Sequence, residues 1–369
     1  MLRRILYPVL LFSLGMSVAI VAQDKKPTDT DEVIRVDTQL IDVPITAVNA
    51  KGEPVRGLKQ SNFVIFEDGK KQDIAEFSAI SEPFEVALLL DTSGSTRGEL
   101  ALIQRAATEF IGSLRAGDRV SVIAFRTDRQ GGRAMATTEV FTPLTSDRNV
   151  LRRAVENLTA SNGTPLYDSL LQVAETVFAD RPKEEFRGRR ALVALTDGVD
   201  STSSADFGLA KSSLESAGII TFFVKVDTRP FFEENLMGNC QVAIRFSAAQ
   251  LRRYYRTFGS KNPNLTTDFC DLGEFERLAV SKRLYELAEE EMNELVKVSG
   301  GKVFPVSDIN EARVAFKGVA EEIGTKYTLS YYSSNEKRDG SFRKIRVESK
   351  GLPPGTVIRS REGYTAPLK

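Results

Sequence analysis

The chain has 369 residues, with 50 lysines plus arginines against 50 aspartates plus glutamates, 41% apolar and 27% charged residues. That composition is ordinary for a soluble globular protein, and the balanced charge argues against a nucleic acid or an anionic membrane surface as partner. Histidine is absent, so no imidazole can serve as general base, triad member or zinc ligand.

The chain opens with Arg3 and Arg4, an apolar run over residues 5–22, and small residues at Ser17, Ala19 and Ala22. This pattern predicts a secretory signal peptide over residues 1–22, with no transmembrane domain once it is cleaved. An uncleaved anchor is the alternative, because about 18 apolar residues lie at the lower limit for crossing a bilayer. A polar linker is expected over 23–32. Residues 33–82 read as a β module: Ile41, Val43, Ile45 and Ala47 alternate with other residues, and Asp68-Gly69 is a hairpin signal.

The pattern changes near Phe84. Residues 86–90, 120–125, 191–195, 219–226 and 302–305 read as strands, with an edge strand over 138–141. Helical periodicity appears in Leu100, Ile103, Ala107, Phe110, Ile111 and Leu114, and again over 150–158. It recurs in Leu166, Leu170, Val173, Ala174 and Val177, over 275–299, and in Ala312, Phe316, Val319 and Ile323. Apolar strands alternating with amphipathic helices predict an α/β fold over 84–325, a doubly wound and mostly parallel sheet covered on both faces. From Lys326 to about residue 366 the chain is β again. The expectation is that the two terminal β segments pair into one sandwich, with the α/β domain inserted; two unrelated appendages are the alternative.

Two segments fall outside this alternation. One is residues 126–133, read as a loop. The other is an insert of about 229–274, which holds Cys240 and Cys270, the chain's two cysteines. In an oxidising compartment these suggest one disulfide, stabilising by about 3–4 kcal/mol in the chain-entropy model. Two buried free thiols are the alternative.

Loops at the C-terminal ends of parallel strands share one edge, where ligands bind. Three such loops carry oxygen donors: Asp91-Thr92-Ser93-Gly94-Ser95, Asn162-Gly163-Thr164-Pro165 and Thr196-Asp197-Gly198. Two carboxylates converging on one crevice repel unless protonated or neutralised by a cation. With short hydroxyls around them, they suit a hard octahedral ion such as Mg²⁺. Each loop taken alone also reads as an ordinary helix cap.

Together these motifs resemble the metal-ion-dependent adhesion site of the von Willebrand factor A domain, over residues 84–325. The resemblance implies a metal set of Asp91, Ser93, Ser95, Thr164 and Asp197. It also implies Mg²⁺ as the bound ion, with Mn²⁺ and Ca²⁺ as alternatives, and one coordination position left open for an Asp or Glu carboxylate of a partner protein. The whole chain, including residues 57–70 and the terminal RSREGYTAP, resembles secreted bacterial "VWFA-related" proteins, which implies a secreted, periplasmic or cell-envelope location. Arg126, Arg129 and Arg133 follow a strand ending on the metal edge and are candidates for a partner-binding rim. The insert is expected to overhang the same edge. No catalytic residue is expected: an aspartyl phosphatase would need a second acid where Ser93 stands. A metal-dependent hydrolase and a mainly structural envelope protein are the competing readings.

Overall fold

The structure, a computed structural model, describes residues 40–51, 53–78, 83–93, 99–130, 133–236, 245–259 and 268–368. The leader region and the linker lie outside them. Among the described residues, no helix is long and apolar enough to cross a membrane.

The chain enters through β1 (Leu40–Val48), β2 (Phe63–Glu67), β3 (Lys70–Gln72) and β4 (Ile74–Ser78). The α/β part then runs β5 (Glu85–Leu90), α1 (Leu100–Ser113), β6 (Arg119–Gln130), β7 (Arg133–Thr145), α2 (Arg148–Glu156), α3 (Leu166–Gln172) and β8 (Arg190–Thr196). It continues through α4 (Phe207–Ser216), β9 (Ile220–Val226), α5 (Arg229–Leu236), α6 (Ala248–Phe258), α7 (Glu274–Ser299), β10 (Lys302–Val306) and α8 (Ala312–Ile323). Four strands finish it: β11 (Lys326–Tyr332), β12 (Phe342–Ser349), β13 (Val357–Ser360) and β14 (Gly363–Thr365).

The central sheet has the order β10-β9-β8-β5-β6-β7. Every neighbouring pair is parallel except β6 with the edge strand β7. Its strands are apolar on both sides because both sides are covered. Val86, Leu88 and Leu90 of β5 face α1, α2 and α8 through Ile103, Leu151 and Phe316. The intervening Ala87 and Leu89 face α3, α4 and α7 through Leu170, Leu214 and Leu295. This is the doubly wound sheet the alternation predicts. Burying each such Leu or Phe contributes about 1.5–3 kcal/mol.

The terminal strands form two four-stranded sheets, β13-β1-β11-β4 and β14-β12-β2-β3. Their inner faces share one core, with Val43, Ile45, Tyr327 and Leu329 from the first and Phe63, Ile65, Ile345 and Tyr364 from the second. The first sheet alternates strands from before and after the α/β part, and the second sets β14 and β12 beside β2 and β3, so both terminal β segments build the sandwich. Antiparallel pairing of Thr328 with Ser78 and Leu329 with Phe77 brings together the points where the α/β part leaves and returns. The sandwich meets the sheet at the strands' N-terminal ends. There Arg189 donates to the Pro83 carbonyl and Thr328 Oγ1 to the Gly188 carbonyl. The opposite, C-terminal edge therefore remains for ligands.

Lys326 sits at this junction with its side chain fully buried. Its Nζ donates to Thr46 Oγ1 at 2.8 Å and to the Gly300 carbonyl at 2.7 Å, and lies 3.7 Å from Glu322 Oε1. Burial pushes this ammonium down to about 8. Between there and the ordinary lysine range the unfolded chain binds more protons than the folded one, so stability from this group rises with pH. It is lost as pH falls through about 8. Lys326→Met should remove a rise of ~1–3 kcal/mol between pH 8 and 10, read as the wild-type minus variant difference in urea unfolding. Glu322 keeps Arg359 as partner in that variant. A difference flat with pH would refute the assignment.

The structure changes two parts of the sequence reading and adds to it. Residues 126–133 are no loop: β6 runs on to Gln130 and β7 starts at Arg133, with cross-strand register continuing to Gln130 opposite Arg133. Residues 126–130 are all polar, so they carry no apolar alternation to announce the strand. The insert contains the helices α5 and α6. Two elements had no expectation. These are α4, whose sequence FGLAKSSLES has only a weak apolar stripe, and the three-residue β14.

Candidate functional site

β5 lies between β8 and β6, so the chain reverses direction across the sheet at this strand, and a crevice opens at its C-terminal end. Leu90 of β5 is in register with Leu195 of β8. One residue further on, the Asp91 amide donates to the Leu195 carbonyl at 2.9 Å. Asp91 is 2% exposed. Its Oδ1 accepts the Ser93 amide at 3.0 Å, and its Oδ2 accepts Thr196 Oγ1 at 2.7 Å. Thr92 turns the other way and donates to the Phe125 carbonyl at 2.8 Å, tying the loop to β6.

Asp197, directly after β8, is fixed with equal care. The Val199 amide donates to its Oδ1 at 2.9 Å and Thr228 Oγ1 to its Oδ2 at 2.6 Å. Thr228 is in turn 2.8 Å from the Tyr285 hydroxyl on α7. Burial first, then the neighbouring Asp91 carboxylate, push Asp197 up to about 7. Burial raises Asp91 as well, against the hydrogen bonds from Ser93 and Thr196. Two neighbouring buried carboxylates cannot both ionise cheaply without a counter-charge.

The second loop closes on the first. The Ser161 amide donates to the Thr92 carbonyl at 2.7 Å, and the Asn162 amide to Thr127 Oγ1 on β6 at 2.7 Å. Thr164 is linked to the third loop in both directions, its amide donating to Ser201 Oγ at 2.8 Å and its carbonyl accepting the Ser201 amide at 3.0 Å. The Thr164 hydroxyl has no hydrogen-bond partner among the described residues. Asp200 holds the start of α3, accepting the Leu166 amide at 2.9 Å and Ser203 Oγ at 2.5 Å. Burial pushes it up to about 6.

Ser93, Thr164 and Asp197 line one cavity of about 140 Å³, together with Phe232, Arg245, Phe246, Gln250 and Tyr285. Its outer wall comes from the insert and from α7. Phe232 of α5 packs on Phe246 with ring centroids 4.3 Å apart, and Phe246 meets Phe269 edge-on at 5.4 Å. These rings join Val199, Leu284 and Ala288 in a core that reaches the Asp197 loop. Buried Arg277 pins the cap by donating to the carbonyls of Leu236 and Leu272. The described part of the insert thus lies over the edge that carries Asp197.

Of the five expected metal residues, Ser93, Thr164 and Asp197 line this cavity, and Asp91, bonded to the end of β8, lies close enough to raise Asp197. Ser95 lies outside the described residues, as does Cys240, one end of the expected disulfide. Cys270 sits on the short helix Phe269–Asp271 under the cap. Arg126 is on the β6 arm, paired with Glu139 at 2.8 Å. Arg129 and Arg133 occupy the end of the same arm. Thr228 and Tyr285, which hold Asp197, carry no local sequence signal. Thr196 stood in the third motif, but its bond to Asp91 emerges only from the strand register.

Two buried, mutually opposed carboxylates with an uncommitted hydroxyl beside them make a donor set suited to a hard cation.

Residues 86–199 match the family model of the von Willebrand factor type A domain. A search of curated proteins found no match. Similar solved structures include the conserved hypothetical protein BatB from Bacteroides thetaiotaomicron, 19% identical, covering 65% of this chain and 98% of that one, TM-score 0.39. A von Willebrand factor type A structure from Catenulispora acidiphila is 12% identical, over 90% of this chain and 75% of that one, TM-score 0.40. Proximal thread matrix protein 1 from the mussel byssus is 13% identical, over 78% and 51%, TM-score 0.39. Such domains are protein-interaction modules. The family model, the sheet order and the three loop motifs agree: residues 86–199 match the von Willebrand factor type A domain, and the α/β part around them has a doubly wound fold of that kind.

Proposed function

We propose that this protein is a secreted or cell-envelope binding module that captures an Asp or Glu carboxylate of a partner protein through a divalent cation, Mg²⁺ by first preference. The observation that carries the reading is the Asp91–Asp197 pair, two buried carboxylates both raised by burial, Asp197 further by the Asp91 charge. Asp91, Ser93 and Asp197 would hold the ion, with Ser95 and Thr164. When bound, the ion supplies a neutralised site with a position open to an incoming carboxylate oxygen.

The chain's own residues do the positioning. The Ser93 amide and Thr196 hydroxyl fix both Asp91 oxygens. Thr228, backed by Tyr285, orients Asp197. The aromatic rings of the cap form one wall of the cavity, and low-polarity walls strengthen charge interactions beside them. One carboxylate–cation contact anchors a modest interface, and the surrounding loops provide specificity.

Asp91→Ala should abolish Mg²⁺-dependent capture of partner from the native cell envelope, while circular dichroism stays that of the wild type. Capture that persists in EDTA would refute a metal-bridged interface. Mg²⁺-dependent turnover across a phosphatase and esterase panel, lost in the same variant, would favour a hydrolase.

A further inference from the structure

Beside the Asp197 cavity lies a larger groove of about 420 Å³. Helix α6 lines one side with Arg252, Arg253 and Arg256; Tyr167, Asp200 and Asp206 are among the residues of the rest. The two cavities share Gln250, and the adjacent residues Asp200 and Ser201 line one each. They are neighbouring compartments of one edge.

Three arginines and two aspartates line this groove, and most of them are already engaged. Arg253 is committed, donating to Glu291 at 2.6 Å and lying 4.9 Å over the Tyr167 ring. Asp206 is engaged as the cap of α4, accepting the Leu209 amide at 2.9 Å, and Asp200 holds α3 and Ser203. Arg252 and Arg256 stand four residues apart, so they share one face of α6. Neither makes an ion pair or a side-chain hydrogen bond among the described residues. Two guanidinium groups, Arg252 half-buried and Arg256 exposed, therefore line a polar groove without an ion-pair partner among the described residues, and planar guanidinium forks match carboxylates.

We infer that the groove takes a second carboxylate of the same acidic peptide whose first carboxylate enters the Asp91–Asp197 site. This rests on the metal-bridged reading above and narrows it: the partner presents a segment with two acids a few residues apart. Arg252 and Arg256 act as the specificity element, and the cap helix brings them next to the cation edge.

The test uses fluorescein-labelled eight-residue Gly/Ser peptides carrying one glutamate, or two separated by one to four residues. Binding to the full chain is read by fluorescence anisotropy in Mg²⁺ and in EDTA. In Mg²⁺ the best two-acid peptide should bind wild type about tenfold tighter than the one-acid peptide, a gain that shrinks with added salt. The double variant Arg252→Ala, Arg256→Ala should lose that gain and keep the one-acid affinity, while Lys at both positions retains part of it. No gain at any spacing, or a gain untouched in the double variant, overturns the inference. Two-acid binding that survives EDTA yet still needs both arginines refutes the metal bridge and leaves the groove as a site. If no peptide binds in Mg²⁺, both readings fall.

Discussion

Glu67→Ala should lower the unfolding free energy by about 3–5 kcal/mol, the usual cost of removing one partner from a buried ion pair. Glu67 is 2% exposed and lies between the two sheets of the sandwich. Its Oε2 accepts the Tyr331 hydroxyl at 2.7 Å and the Tyr364 hydroxyl at 3.0 Å. Its Oε1 accepts Ser333 Oγ at 2.6 Å and Arg343 Nη1 at 3.4 Å. Tyr331 comes from the first sheet and Tyr364 and Arg343 from the second, so one carboxylate joins strands from both ends of the chain. The alanine variant leaves the buried Arg343 charge without its acid and two buried hydroxyls without an acceptor. Glu67→Gln keeps an acceptor for the tyrosines and removes the charge, so its loss should be smaller, about 1–3 kcal/mol. Urea unfolding of the three proteins checks the order. Equal midpoints for wild type and Glu67→Ala would show that this network does not hold the sandwich.

That network shows where sequence reading stops. The β character of both chain ends was legible, since Ile41, Val43 and Ile45 alternate and Asp68-Gly69 marks a turn. Insertion of the α/β part between paired strands was legible as an expectation. A glutamate joining residues 264 and 297 positions away was not, because no local period encodes a contact of that range. At the functional edge the contrast is similar. An apolar strand ending in an acid identifies Asp91 and Asp197 by itself, and parallel topology sends both to one edge. Thr228 and Tyr285 were invisible: a threonine after a strand and a tyrosine on a charged helix have many uses, and only packing of α7 against the cap selects this one. The β6–β7 arm was misread for a third reason. Residues 126–130 read Arg-Thr-Asp-Arg-Gln, all polar, so the two-residue period that marks a half-buried strand is missing.

A last expectation concerns the cation itself. With Mg²⁺ at about one hundred times its dissociation constant, the wild type should gain ~2.7 kcal/mol of stability at pH 8, and Asp91→Ala should gain none. The gain should shrink in acid, and the sign follows from Asp197. Its pKa stands near 7 in the folded protein, raised by burial and by Asp91, against roughly 3.9 in an unfolded chain. Between those values the folded state holds the extra proton, so metal-free stability falls as pH rises from about 4 to about 7. Above 7 Asp197 gives up its proton, and a cation beside it relieves the buried charge most. Two units below 7 the proton competes with the cation and weakens its apparent affinity about a hundredfold, cutting the gain to ~0.4 kcal/mol at the same Mg²⁺ concentration. Asp200, raised to about 6 by burial, adds a background of the same sign, which Asp91→Ala retains. Thermal unfolding of both proteins with and without Mg²⁺, at pH 5 and pH 8, separates the two contributions. A Mg²⁺ gain that is larger at pH 5, or equal in Asp91→Ala, would mean that the paired carboxylates are not where the cation acts.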